Sequence, residues 1–249
     1  MAISIRGMML GEKLSKIIVP ITGKTEEAIL HAAQQIAAHP HADMAEWRAD
    51  FYEHASDEEK TAVLVQKLRA VLQEKPLVYT LRTAREGGEI AVAPEKYAAL
   101  CALAAQCGAD LVDVEMFSPA ADHCVQAIHA APAFVLGSWH NFSQTPGEKE
   151  LLDRFHAMQE RGADVLKIAV MPQTLADVEH LIHAAQKMHS TSSRPLCAIS
   201  MGDTGRITRT HCGHFGGCMT FGTLGASSAP GQISVDALHA ALTDNISPL

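Results

Sequence analysis

The chain reads as an α/β protein: one (β/α)8 TIM barrel covering residues 1–249, with a short N-terminal hairpin capping the bottom of the barrel. Its 249 residues, 47% of them hydrophobic, are enough for a core of that size. From residue 16 onward short apolar runs alternate with helix-length amphipathic segments, the rhythm of repeated βαβ units. The apolar runs number about eight, the count a closed parallel barrel requires.

Taken in order, residues 1–15 precede the first barrel strand and hold two possible hairpin turns, Arg6-Gly7 and Gly11. Strands are expected at 16–22, 44–50, 77–82, 111–116, 134–139, 165–170, 196–200 and 218–222, each a short apolar run. Helical patterns fill 25–38, 57–73, 94–107, 120–130, 148–162 and 175–188. Pro94 suits the first turn of its helix, where a missing N–H costs nothing. Gly108 suits a C-terminal stop, and Gly162 ends the helix that feeds the strand at 165–170. The last crossover, 202–217, is short and rich in Gly, Thr and His, which predicts a stub helix and ligand contacts. There is no linker, internal repeat or low-complexity segment.

Composition narrows the function. The formal net charge is −8 with no run of Lys and Arg, which argues against a nucleic-acid partner and leaves any anionic ligand to local arginines. Six cysteines (Cys101, Cys107, Cys124, Cys197, Cys212, Cys218) lie at irregular spacings without a Cys-x-x-Cys pair. They support neither a zinc ribbon nor a disulfide framework and are read as reduced and mostly buried. His31 and the His39-Pro40-His41 cluster lack metal-ligand spacing and fit structural or surface roles. The first eleven residues hold too short an apolar run for a signal peptide, and no apolar stretch is long enough to span a bilayer. The expectation is a cytoplasmic protein with no metal, no cofactor and no membrane partner.

The most informative residue is Lys167, one ammonium group inside the apolar run Val165-Leu166-Lys167-Ile168-Ala169-Val170. A lone cation in a dry strand has its charged form disfavoured, which frees a nucleophilic amine able to form a Schiff base with a ketone or aldehyde. Pairing with a barrel carboxylate is the plain structural alternative. Other polar groups recur along the strands and at their ends. Glu46 and Arg48 share a parity, with Asp50 following; Arg82 leads into Arg85-Glu86-Gly87-Gly88; Asp113 and Glu115 alternate with apolar residues; His140 follows the fifth strand. A structural ion pair remains open for Glu46 with Arg48 or Arg82. Barrel enzymes nevertheless draw their catalytic groups from several strands. By type, Lys167 is the nucleophile, His140 a general acid and base, and Arg82 and Arg209 suit bidentate capture of a carboxylate. Ser228 and Gln232 offer neutral hydrogen bonds. An imine acidifies the neighbouring carbon, so a histidine can remove its proton and a β-hydroxyl can then leave.

These residues stand in motifs that resemble the type I 3-dehydroquinate dehydratase family across nearly the whole chain. The motifs are Glu46-Trp47-Arg48-Ala49-Asp50, Arg82-Thr83-Ala84-Arg85-Glu86-Gly87-Gly88, Ser138-Trp139-His140-Asn141-Phe142, Leu166-Lys167-Ile168-Ala169, Ser200-Met201-Gly202, Ile207-Thr208-Arg209, and Thr220-Phe221-Gly222 through Ser228-Ala229-Pro230-Gly231-Gln232. The resemblance implies that Lys167 forms an imine with the C3 ketone of 3-dehydroquinate. His140 then abstracts the C2 proton and later protonates the departing C1 hydroxyl, giving 3-dehydroshikimate and water in the shikimate pathway. It further implies that Arg209, Ser228 and Gln232 hold the substrate carboxylate, that Glu46, Arg48 and Arg82 serve the ring hydroxyls and the imine, that Glu86 orients or charges His140, and that the protein is a homodimer. The loop at 227–232, with its glycine and small residues, is expected to close over substrate.

Three positions depart from the family pattern: Asn141 where an aspartate is common, Cys212-Gly213 in place of Gly-Glu, and Arg206 where an apolar residue is usual. They lie beside the chemical groups and bear on affinity, loop closure and stability. A Schiff-base aldolase, a catalytically silent carboxylate-binding barrel and a metal-assisted dehydratase are the competing readings. His140 directly after its strand and the Ser-Ala-Pro-Gly-Gln loop favour dehydration over aldol cleavage. Lys167 together with His140 argues against the silent barrel, and the missing ligand cluster argues against the metal.

Overall fold

The computed structural model describes residues 2–12, 14–225 and 231–244. Strands β1 (Ile3–Ile5) and β2 (Met8–Leu10) pair antiparallel, with Ile5 opposite Met8. Arg6 and Gly7 both take positive φ, 48° and 78°, the successive left-handed conformations of a tight hairpin turn. The turn is therefore at Arg6-Gly7 and not at Gly11.

Eight parallel strands form the barrel wall: β3 (Lys16–Ile21), β4 (Met44–Arg48), β5 (Leu77–Thr80), β6 (Leu111–Glu115), β7 (Phe134–Asn141), β8 (Val165–Val170), β9 (Leu196–Ser200) and β10 (Met219–Thr223). Each pairs with the next from β3 to β9, and β10 pairs back onto β3. The remaining seam closes where Leu196 bridges Gly217 and the Cys218 N–H donates to the Leu196 carbonyl at 2.8 Å. A two-residue strand, β11 (Ile233–Ser234), adds beside β10.

The helices are α1 (Glu26–Ala38), α2 (Glu58–Leu72), α3 (Pro94–Gln106), α4 (Ala121–His129), α5 (Glu148–Glu160), α6 (Leu175–Thr191), α7 (Ile207–Thr210) and α8 (Val235–Asp244). Thr25, Asp57 and Thr174 accept the N–H of Ala28, Lys60 and Asp177 and so satisfy donors that the first turn leaves open. Pro94 opens α3 as predicted, and Gly108 and Gly162 follow α3 and α5 with φ of 108° and 92°. The short α7 is the predicted stub in the last crossover. Helix α8 and strand β11 were not expected from the pattern. The His39-Pro40-His41 cluster is structural: His41 stacks on His239 of α8 at 3.7 Å between ring centres.

Strand parity sorts the wall into two faces. Ile17, Val19, Ala45, Trp47, Leu77, Tyr79, Val112, Val114, Leu166 and Ile168 point outward and pack under the helices. In the lower half of the barrel the inward positions are Ile18, Met44, Val78, Leu111, Leu136, Val165, Cys197 and Met219, and they cluster with Ile5 and Leu10 of the hairpin. The hairpin thus plugs the amino-terminal mouth.

Some predicted boundaries shift, with consequences for the site. Strand β4 stops at Arg48 because Ala49–Phe51 turn into a 3-10 segment, so Asp50 leaves the strand parity. Strand β5 stops at Thr80, leaving Arg82 on the loop beyond it. Strand β7 runs to Asn141, which puts His140 inside the strand and hydrogen-bonded in register with β8.

Candidate active site

Two residues above the apolar layer, the inward positions become polar: Glu46 and Arg48 on β4, Thr80 on β5 with Arg82 just beyond, Asp113 and Glu115 on β6, Ser138 and His140 on β7, and Lys167 on β8. A cavity of about 740 Å³, counted to its open mouth, lies at the carboxyl ends of the strands. Of the residues expected to form a site, Glu46, Arg48, Arg82, Glu86, His140, Lys167, Arg209 and Gln232 all line it. Ser228 falls outside the described residues, as does most of the expected closing loop.

Lys167 is 5% exposed, and its environment corrects one expectation. The amine is not an isolated cation: Nζ lies 3.2 Å from Asp113 Oδ2 and 3.8 Å from Glu46 Oε1, and 4.6 Å above the centre of the Phe221 ring. Apolar neighbours in sequence belong to the outer face of β8, whereas the amine shares the inner face with carboxylates from other strands. Dryness of the strand alone therefore does not govern this nitrogen. Beside it on β9, burial pushes the Cys197 thiol up to about 12, so no thiolate competes as nucleophile.

Arg82 is the hub of the floor. Its guanidinium lies 2.8 Å from Asp113, 3.3 Å from Glu115 and 3.6 Å from Glu86, and Nη1 donates to Ser138 Oγ at 3.1 Å. Burial opposes the charge, but these three carboxylates outweigh it and hold the guanidinium firmly protonated. Glu115 is fixed in turn by the Thr83 N–H at 2.7 Å and the Thr83 hydroxyl at 2.8 Å. Burial would raise Asp113, yet Arg82, Lys167 and the Ser138 hydroxyl hold its carboxyl below the usual range.

His140 and Glu86 form a coupled pair. Both the backbone N–H and Nδ1 of His140 reach Glu86 Oε2, at 3.0 and 2.9 Å. With the carboxylate accepting Nδ1–H, the Nε2 lone pair is left free to act as a base. Burial, then the cations Arg82, Lys167 and Arg48, push the imidazole well below its ordinary value, so it stays neutral at physiological pH. Burial also raises Glu86 to about 8, opposed by Arg82 and reinforced by Glu115 and Asp113. The adjoining glycines explain themselves: Gly87 sits at φ 81° with the Phe142 ring where a Cβ would be, 2.4 Å away, and at Gly88 a Cβ would strike the Arg82 carbonyl. Phe142 in turn lies nearly parallel to the His140 ring, 6.4 Å between centres.

Arg48 is held by a two-pronged contact with Asp50, Nε and Nη2 each donating at 2.8 Å. Arg209, on α7, is 2% exposed, and burial draws its guanidinium below the ordinary range. A cation so stripped of water is suited to an anionic group of a ligand. Among the described residues, no group of three or more His, Cys, Asp or Glu side chains could hold a metal ion.

The three departures lie off the cavity lining. Asn141 Oδ1 accepts from Ser143 N–H, Ser143 Oγ and Gln144 N–H at 3.0, 2.8 and 3.1 Å, an acceptor's task that an amide oxygen performs as a carboxylate would. Arg206 is exposed, and Cys212 is buried at 3%. Sequence reasoning left Asp113 and Ser138 without a role, although their spacing of two from Leu111 and Leu136 marks them as inward-facing. It also missed the apolar cavity wall of Phe142, Ile199, Met201 and Phe221, whose residues look like ordinary core.

Residues 17–245 match the model of the type I 3-dehydroquinase family. The chain is 39% identical to the catabolic 3-dehydroquinate dehydratase of Acinetobacter baylyi over 237 residues, 94% of this chain and 87% of that one. It is 40% identical to the 3-dehydroquinate dehydratase of Lactiplantibacillus plantarum over 247 residues, 98% of this chain and 97% of that one. The crystal structure of the type I enzyme of Clostridium difficile, solved with covalently modified comenic acid, superposes with a TM-score of 0.94 at 35% identity, covering 98% of both chains. With a family match spanning most of its length and relatives near 40% identity, the chain belongs to the type I 3-dehydroquinase family.

Proposed function

We propose that this protein dehydrates 3-dehydroquinate to 3-dehydroshikimate and water through an imine on Lys167. The observation that carries the reading is that Lys167 and a neutral His140 face the same cavity, with Arg48, Arg82 and Arg209 on its walls. The Lys167 nitrogen attacks the C3 ketone, and loss of water gives an iminium that draws electrons from C2. His140 removes the C2 proton, the electron pair moves toward nitrogen, and the C1 hydroxyl then leaves as water on receiving that proton. Hydrolysis of the conjugated iminium releases the product and restores the amine.

Arg209, with Gln232 and the expected Ser228, takes the substrate carboxylate; Glu46, Arg48 and Arg82 serve the ring hydroxyls and the imine. Glu86 is a positioning residue that sets the tautomer of His140. The same reading makes residues 1–249 one catalytic barrel domain acting as a homodimer in the cytoplasm. No described helix is long and apolar enough to cross a membrane. Sedimentation at the mass of one chain would overturn the dimer. The activity is tested by adding 3-dehydroquinate and following the ultraviolet absorbance of a conjugated enone. Catalytic growth of that absorbance is expected, and its absence at micromolar enzyme contradicts the reading.

A further inference from the structure

We propose that Asp113 is the fixed counter-ion of the Lys167 nitrogen, first as ammonium and then as the iminium that replaces it. This inference rests on the Schiff-base reading above. The chemistry of imine formation supplies the reason. An ammonium and a ketone give an iminium and one water: the carbonyl oxygen leaves with two of the nitrogen's three protons, C=O is exchanged for C=N, and nothing is oxidised or reduced. The nitrogen carries one positive charge before and after. An anion in contact with it therefore stabilises both states without moving. It also keeps the imine protonated, and only the protonated form is a strong electron sink.

Asp113 meets these requirements by position. It lies beneath the cavity floor, 1% exposed, and is not among the residues lining the cavity, so substrate cannot draw it away. Its Oδ2 is 3.2 Å from Nζ, while Oδ1 is pinned by the Ser138 hydroxyl at 2.6 Å and faces Arg82 at 2.8 Å. Glu46 is a poorer candidate: it is 3.8 Å from Nζ, lines the cavity, and already accepts the Thr80 hydroxyl at 2.9 Å. The Phe221 ring, 4.6 Å from Nζ, adds its negative face toward the same cation.

Asp113→Asn is the test, because its amide oxygen can go on accepting from Ser138 and Arg82 while the charge facing Nζ is lost. The folded variant is expected to lose kcat by roughly 100-fold with KM within a few fold of the parent. Less adduct should be trapped by borohydride in the presence of 3-dehydroquinate, and Asp113→Glu should recover part of the rate. A folded Asp113→Asn with parental kcat overturns the proposal. If that variant does not fold, Ser138→Ala carries the test: it leaves the charge but frees Oδ1, so kcat should fall several fold at constant KM, and an unchanged kcat overturns the proposal. Trapping of the parent separates the two readings. No adduct on Lys167 in the parent removes the Schiff base itself, whereas a parental adduct with an indifferent Asp113→Asn removes only the counter-ion.

Discussion

The lower and upper halves of the barrel interior are built from the same strands with the same parity, yet their chemistry is opposite. Leu111, Leu136 and Val165 fill the bottom layer at the hairpin plug, while Asp113, Ser138 and Lys167, each two residues further along, form a buried polar layer. Burying apolar side chains stabilises the fold directly. Burying the charges above them contributes little net stability, since lost hydration offsets most of the Coulomb gain. The bottom layer holds the barrel shut, and its stability offsets the cost of the buried charges above it.

Exchanging side chains between the halves should separate the two functions. The largest effect belongs to Lys167→Met, which should cut turnover by at least ~10⁴-fold while the variant still melts cooperatively, at a temperature lowered by leaving Asp113 without one of its cations. Steady-state rates and calorimetry check it, and surviving turnover would break the division of labour. His140→Ala should slow turnover by about 10²–10⁴-fold while still forming the borohydride-trapped adduct, as seen by intact mass. In the lower half Leu10→Ala should cost about 2–5 kcal/mol in denaturant unfolding with unchanged kcat per folded molecule. Loss of kcat there would show that the plug reaches the chemistry.

Smaller effects sharpen the upper half. Below about 8 Glu86 takes up a proton and can donate it to His140 Nδ1, leaving hydrogen on Nε2 and no base toward the cavity. Above that pH the carboxylate accepts Nδ1–H and frees Nε2. The kcat/KM profile should therefore rise through one proton loss near 8 and lose that inflection in Glu86→Gln; a flat parental profile contradicts the tautomer account. Gly87→Ala should lower kcat/KM by about 10-fold, because its methyl group would displace Phe142 and the loop carrying Glu86.

Much of this organisation was legible in the chain. The eight apolar runs, the stub helix and the hairpin follow from local periodicity and turn residues, and Lys167 and His140 stood out by type against their neighbours. What escaped were relations between strands. Lys167 read as isolated because its flanking Leu166 and Ile168 face the helices, whereas Asp113 comes from a strand more than fifty residues away. Asp50 read as a strand residue because nothing local announces the 3-10 turn that swings it back onto Arg48. Met201 and Phe221 were given no role because a cavity wall and a core use the same side chains.

The proposed bond between the Lys167 nitrogen and the substrate's carbonyl carbon is tested most directly by reducing the enzyme with borohydride in the presence of 3-dehydroquinate, digesting it, and locating the added mass by tandem spectrometry. A single stable adduct on the peptide containing Lys167, absent without substrate, is the expected result. Full turnover with no adduct, or an adduct on another lysine, would contradict the account.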